Sequence, residues 1–273
     1  MNSPNLWNQL LIWPIVNLLV AFYKLFEFFH IPGPLGFAII LMTIAIRILL
    51  YPLMHAQLKS AKKMSDLKPH LDALHAKHKD DKKALQQAQL DLYKQHGVNP
   101  AAGCLPLIIQ FPVLIALYNV FSQVFTNGNL DKLVTEINQI LYVPALKLTQ
   151  LDLSFFGTNL GVKPSDFQSH GWWLLSIPLI TGLLQWYQTK LMMPAKSNTT
   201  NLTNITNTTN EKTKQKQEDK KEDTAGEIQK QMALITPIMF GYFAYQFPLG
   251  LALYWNVFGV FGIIQQLRVN AQK

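Results

Sequence analysis

Arg47 is the only Lys, Arg, Asp or Glu between His30 and Leu58, and it lies inside the apolar run GPLGFAIILMTIAIRILLYPL, Gly33 to Leu53. A lone charge in a stretch that reads as a membrane span costs roughly 2.5–3.5 kcal/mol on insertion scales. Arg47 is about 11 residues past Gly36, roughly 16 Å along a helix at 1.5 Å per residue. That depth is too great for easy snorkelling from the start of the helix, although the far end is nearer. Two readings stand: a boundary residue of a short span, or a cation facing a wet cavity inside a bundle. The second is the default for an intramembrane charge. Its chemistry would be electrostatic: attraction of acidic groups and retention of water.

Other apolar blocks carry isolated polar side chains that such a cavity would need. Gln110, Gln185 and Asn256 fall on three different blocks, and buried polar groups require partners or water. Convergence with Arg47 on one aqueous cavity would meet that requirement. Covalent chemistry has little to work with. Cys104 is the single cysteine, in an apolar block where cysteine usually serves as a small buried hydrophobe. His70, His75, His78 and His96 lie in a Lys-rich segment and read as solvated residues. Met192, Met193, Met232 and Met239 read as adaptable packing, a property that also suits a slide for varied apolar segments. The expectation is a protein with no cofactor, no metal and no enzymatic reaction.

The elements that must position these residues are helical. Of 273 residues, 49% are hydrophobic and only 15% charged, against about 25% charged in soluble domains. Strand-length alternation, the signature of a membrane barrel, is missing. The net charge of +8 raises the question of nucleic acid, but its distribution answers otherwise. Lys59 to Lys94 holds nine Lys against five Asp, and Lys190 to Lys230 eight Lys against six acids, whereas Thr126 to His170 holds three Lys and four acids. A basic surplus in alternate loops is the positive-inside pattern, and it argues against direct nucleic-acid recognition. The N-terminus shows neither a signal peptide nor a transit peptide.

The fold expected is all-α: a polytopic membrane protein with a five-helix transmembrane bundle, an N-terminal interfacial helix and a cytoplasmic helical hairpin. Residues 1–32 are read as an N-terminal interfacial, extracytoplasmic helix: Leu6 to Phe29 is long enough to span, and that alternative stays open, but Asn8, Gln9, Pro14, Asn17, Lys24 and Glu27 interrupt it and its aromatic content suits the headgroup level. The first span covers 33–58. The hairpin covers 59–98, with Leu67, Leu71 and Leu74, then Leu85, Ala88 and Leu92, at helical spacing and an Asp of Lys79-Asp80-Asp81 available as N-cap. The second span covers 99–125. An extracytoplasmic loop without strong periodicity covers 126–170. The third span covers 171–193. Residues 194–230 form a disordered cytoplasmic linker, with four Asn-x-Thr triplets in Asn198 to Thr209 and too little apolar content to fold. The fourth span covers 231–247, and the fifth, with a short tail, 249–269. The charge pattern places the N-terminus outside and the C-terminus in the cytoplasm.

At this point the chain resembles a known group. GFAIILMTIAIRILLYPL, the charged hairpin, GVNPAAGCLPLIIQFPVLIALYNVF, IPLITGLLQWYQTKLMMP and ITPIMFGYFAYQFPLGLALYWNVFGVFGIIQQ are similar, in order and spacing, to YidC/Oxa/Alb-type membrane protein insertases, in the short bacterial form without a large periplasmic domain. The resemblance runs from about Gly33 to Gln266, excepting the outer loop and the Asn/Thr linker. It implies five helices around a hydrophilic groove that opens to cytoplasm and lipid and is sealed outside. Arg47 matches the groove arginine of such proteins. Gln185 and Trp255 fall near lining positions, with Gln188 a close competitor for Gln185. Read from the residues alone, Gln185 and Gln188 could equally bond across a helix interface, and Trp255 could be a packed core aromatic. The implied partners are nascent membrane proteins, membrane lipids, the Sec translocon and the ribosome, although the tail after Arg268 lacks a long basic extension for ribosome docking. The implied location is the bacterial plasma membrane, and the implied function is insertion and folding of hydrophobic segments from the cytoplasmic side through that groove, alone or with the Sec translocon. The competing reading is a small-anion transporter with Arg47 as its substrate site; no internal repeat among the spans supports it.

Overall fold

The computed structural model describes residues 3–78, 81–98, 105–127, 130–192 and 224–271. It is mostly helical: α1 (Trp13–Phe28), α2 (Pro34–Leu49), α3 (Tyr51–Asp66), α4 (Lys68–Lys77), α5 (Lys82–Gln95), α6 (Leu105–Asn127), α7 (Leu130–Gln139), α8 (Phe167–His170), α9 (Ser176–Met192), α10 (Thr224–Gln246) and α11 (Leu249–Ala271). A two-stranded antiparallel hairpin, β1 (Ser154–Phe155) and β2 (Thr158–Asn159), interrupts them.

The segment assigned to an interfacial helix forms one continuous helix, Asn8–Phe28, long and apolar enough to cross a membrane. A π turn over Asn8–Ile12 precedes Pro14, the kind of local widening with which a helix absorbs a proline's missing N–H. The polar residues that seemed to break the segment have partners. Lys24 pairs with Glu27 at 2.7 Å, and buried Asn17 donates to Ile140 O at 2.9 Å while accepting from Tyr142 N at 2.7 Å. Tyr142 Oη donates to Gln9 O, and Tyr23 Oη accepts from Asp152 N. These bonds tie the helix, from Gln9 to Tyr23, along the segment 140–152.

The first span differs from the continuous element expected over 33–58. It breaks at Leu50, and the two helical pieces meet at a bend of 66°. Pro52 has no N–H for the carbonyl of Ile48, which removes one rung of the ladder at that point. The segment 126–170 is also more ordered than its composition suggested. Leu130, Leu133, Val134 and Ile137 give α7 an apolar stripe, and the last three are buried. The third span is regular α-helix only from Ser176, after a 3-10 turn over Trp172–Leu175. α10 begins at Thr224, inside the stretch assigned to the linker; the Asn/Thr triplets lie outside the described residues. Among the described residues two helices qualify as spans by length and apolarity, Asn8–Phe28 and Leu249–Ala271, and a third if the bent pair counts as one.

The hairpin of α4 and α5 has the start signal its sequence carries. Asp81 caps α5, accepting from Lys83 N and Ala84 N at 3.0 Å each, and His75 and Gln89 meet across the pair at 2.8 Å.

Glycine contacts bring the apolar helices close. A Cβ at Gly241 would lie 3.3 Å from Pro178 O and one at Gly182 3.4 Å from Pro237 O, so α9 and α10 approach backbone to backbone, as small residues allow in membranes. At its N-terminus α11 is capped by the preceding loop: Leu249 N donates to Val162 O at 2.9 Å and Gly250 N to Leu160 O at 2.8 Å. These bonds satisfy two of the N–H groups that a helix start leaves open.

Candidate functional site: a buried arginine among three helices

Arg47 lies in the last turn of α2 and is only 5% exposed. One turn earlier, Thr43 Oγ1 returns its proton to Ile39 O at 2.6 Å, so that buried hydroxyl makes no demand on the cation. The guanidinium reaches across to α11. Nη1 donates to Gln265 Oε1 at 2.9 Å and Nη2 to Phe258 O at 2.7 Å. Cζ stands 3.5 Å from the centroid of the Phe258 ring, a cation–π contact worth about 0.5–2 kcal/mol depending on desolvation. A carbonyl at Phe258 is available mid-helix because an acceptor oxygen has two lone pairs, one of them spare after the helical bond.

Gly259 and Gly262 form the surface beside the cation. A Cβ at Gly262 would lie 3.0 Å from Arg47 Nη2 and 2.6 Å from Gln188 Nε2; at Gly259 it would lie 3.6 Å from Gln185 Nε2. The two glycines, one turn apart, thus let α9 bring Gln185 and Gln188 against the face of α11 that receives Arg47. α2, α9 and α11 meet here. Gln188 is the nearer of the two glutamines to the guanidinium's end of that strip.

The other expected site residues lie elsewhere. Gln110 on α6 donates to Tyr254 Oη, one turn from the Phe258 ring that Tyr254 contacts. Asn256 Oδ1 accepts from Thr181 Oγ1 at 2.9 Å, a polar clamp between α9 and α11. Trp255, at 3% exposure, packs among Phe240, Phe243 and Phe247 with centroids 5.6–6.2 Å away, the arrangement of the packed core aromatic. On a helix one residue is a 100° turn, so Trp255 faces α10 while Tyr254 faces α6. Gln265 and the Phe258 carbonyl were not singled out from sequence. Gln265 stood in the IIQQ block, seven residues beyond Phe258 and on the same helix face.

Five buried side-chain atoms lack a hydrogen-bond partner among the described residues: Arg47 Nε, both amide atoms of Gln57, Gln265 Nε2 and Gln266 Oε1. All belong to α2, α3 or α11. Of these, Arg47 Nε and Gln265 Nε2 belong to the contact described above, and each such atom costs roughly 1–3 kcal/mol if nothing meets it.

The fold and the site define a class: a helical membrane protein with a buried cation at the junction of three helices. A family model described as 60Kd inner membrane protein matches residues 27–273, and the chain belongs to that family. Among its relatives, the membrane protein insertase MisCA of Bacillus subtilis is 32% identical, over 98% of this chain and 81% of that one. The membrane protein insertase YidC of Oceanobacillus iheyensis is 30% identical, over 98% and 85%. The YidC of Geobacter sulfurreducens is 28% identical over 97% of this chain, which spans only 38% of that longer relative. A crystal structure of an active YidC insertase superposes with a TM-score of 0.55 at 24% identity, over 98% of this chain and 47% of that one, and supports the fold.

Proposed function

We propose that this chain is a membrane protein insertase and chaperone. It receives hydrophobic segments from the cytoplasmic side and releases them into lipid past the junction of α2, α9 and α11. The observation that carries this reading is the buried guanidinium of Arg47 between the apolar helices α2 and α11, where its Nε and Gln265 Nε2 have no partner among the described residues. Such a site holds water and meets polar groups of an entering chain while the outer faces of α9 and α10 present apolar side chains, among them Leu179, Leu183, Trp186, Leu234, Ile238 and Tyr242. A transported tail then crosses less hydrocarbon, which lowers the partition barrier without covalent chemistry. Relatives named as membrane protein insertases support the same reading. Its partners are nascent membrane proteins and lipids, with the Sec translocon and the ribosome as further candidates. Insertion of a single-span client by the purified chain in liposomes tests the function.

The proposal includes five spans, with α2 and the start of α3, as far as residue 58, as the first and α6, α9, α10 and α11 as the others. The α4–α5 hairpin lies in the cytoplasm. Because Gln9, Asn17 and Tyr23 bond to residues 140–152, α1 shares a side with that segment, the outer one in this arrangement. Single cysteines in a Cys104→Ser background check the orientation. With an impermeant maleimide added to intact cells, Gln150→Cys is expected to label rapidly and Lys59→Cys to stay unlabelled. The reverse pattern would reject this topology.

A further inference from the structure

The β1–β2 turn carries a residue that turn chemistry does not call for. Phe156 and Gly157 are its two central residues, with φ of 49° and 76°. Positive φ at both positions is the demand of a type I′ turn, for which Asn-Gly or Asp-Gly is the favoured pair. Glycine at the second place fits. A bulky aromatic at the first is a backbone outlier, and an observed outlier of this kind points toward function. Phe156 does not compensate by packing inward, being 83% exposed.

Its neighbour explains how the tip is held. The Phe155 ring lies over Gly33 and Gly36, where a Cβ on either glycine would collide with it. Phe37 sits edge-on to both Phe155 and Phe156, with centroids 5.3 and 6.1 Å apart, and also contacts Phe26. The hairpin is therefore keyed onto the first turn of α2, and its tip is placed at the level where the apolar segment Gly33 to Leu53 begins. The end of α1 adds Phe28 and Phe29, 75% and 62% exposed.

We infer that Phe156, with Phe28 and Phe29, anchors the outer end of α2 in the lipid–water boundary of the bilayer. Aromatic side chains collect at that boundary, and the level of the tip is fixed by its contact with the start of α2. Of the charges nearest in sequence, the half-buried Lys24 and Glu27 pair with each other, and the exposed Asp152 is engaged by Ser154, accepting from its N and Oγ at 2.8 Å each. The three rings together offer roughly 450 Å² of exposed surface, well short of the about 800 Å² per side of a stable protein interface. Lipid is the occupant this surface fits. The inference rests on the bilayer placement proposed above, not on insertase activity.

The test is spin-label depth measurement in liposomes of phosphatidylethanolamine and phosphatidylglycerol. A nitroxide on Phe156→Cys, in the Cys104→Ser background, is compared with one on Gln150→Cys, an exposed loop position. The label at 156 is expected to collide with oxygen and to meet a water-soluble nickel complex severalfold less often than the label at 150. Equal nickel access at both positions would overturn the proposal, and so would protection at 156 from both reagents, which would mean a protein covers it. A second variant removes dependence on the labelled chain. Phe156→Asn suits the turn, so its Tm in detergent is expected to stay level or rise while its Tm advantage in liposomes shrinks. A lower Tm in detergent would make Phe156 a packing residue and overturn the anchor. Neither readout requires insertion activity, so failure here is separable from failure of the insertase reading.

Discussion

Arg47→Ala is expected to slow insertion of clients with acidic translocated tails by about tenfold or more, and Arg47→Lys to retain a substantial part of the activity. A carboxylate at 4 Å from a fixed cation gains between about 1 kcal/mol in water and about 4 kcal/mol at the effective dielectric of a protein surface. A barrier change of about 1.4 kcal/mol is already tenfold in rate. Lysine keeps the charge but loses the planar fork that here serves Gln265 and Phe258 O together, so retention is partial. The assay compares matched clients whose translocated tails carry zero, one or two Asp residues. A deficit growing with Asp count is the electrostatic signature. Equal slowing of all three would assign Arg47 to hydration or packing instead. No slowing in a folded protein would remove it from the site.

Gly262→Val should have a comparable effect for a different reason. Even the first carbon of a side chain at this position would lie 2.6 Å from Gln188 Nε2 and 3.0 Å from Arg47 Nη2. Valine adds two further methyls, and overpacking of this kind costs about 1–3 kcal/mol. The strain falls on Gln188 and on the Arg47 guanidinium, both of which lie against Gly262. Insertion should fall severalfold for acidic and neutral clients alike, with Gly262→Ala intermediate between wild type and Val. The purified protein's circular dichroism and Tm separate loss of the site from loss of the fold. Full activity in Gly262→Val would show that the strip between α9 and α11 is not where clients pass.

Arg47 was readable from sequence because a charge isolated in an apolar run has few explanations. Its partners were less so. Gln185 and Gln188 lie three residues apart on one helix, and choosing between them requires the rotation of α9 against α11, which depends on Gly259 and Gly262. Trp255 and Asn256 are adjacent, so at most one of them could share the face of Arg47; in fact one meets α10 and the other Thr181. Gln265 was hidden by its neighbour Gln266, since two glutamines in sequence do not reveal which one points at the cation. The helix over 130–139 was missed although Leu130, Leu133, Val134 and Ile137 recur at helical spacing, because ten residues are short against the length of loop around them. The bend at Leu50 was masked by apolarity on both sides of Pro52. Composition marks burial, not direction.

Reconstitution tests the central claim most directly. The purified chain, with no other protein, is placed in liposomes and challenged with a short single-span client made in a purified translation mixture. Insertion is scored as protease protection of the translocated tail. Protection well above that of protein-free liposomes, and reduced toward that baseline by Arg47→Ala when the tail is acidic, is the predicted result. Protection no greater than in protein-free liposomes, from a chain shown to be folded and correctly oriented, would contradict the claim that this chain inserts membrane segments by itself.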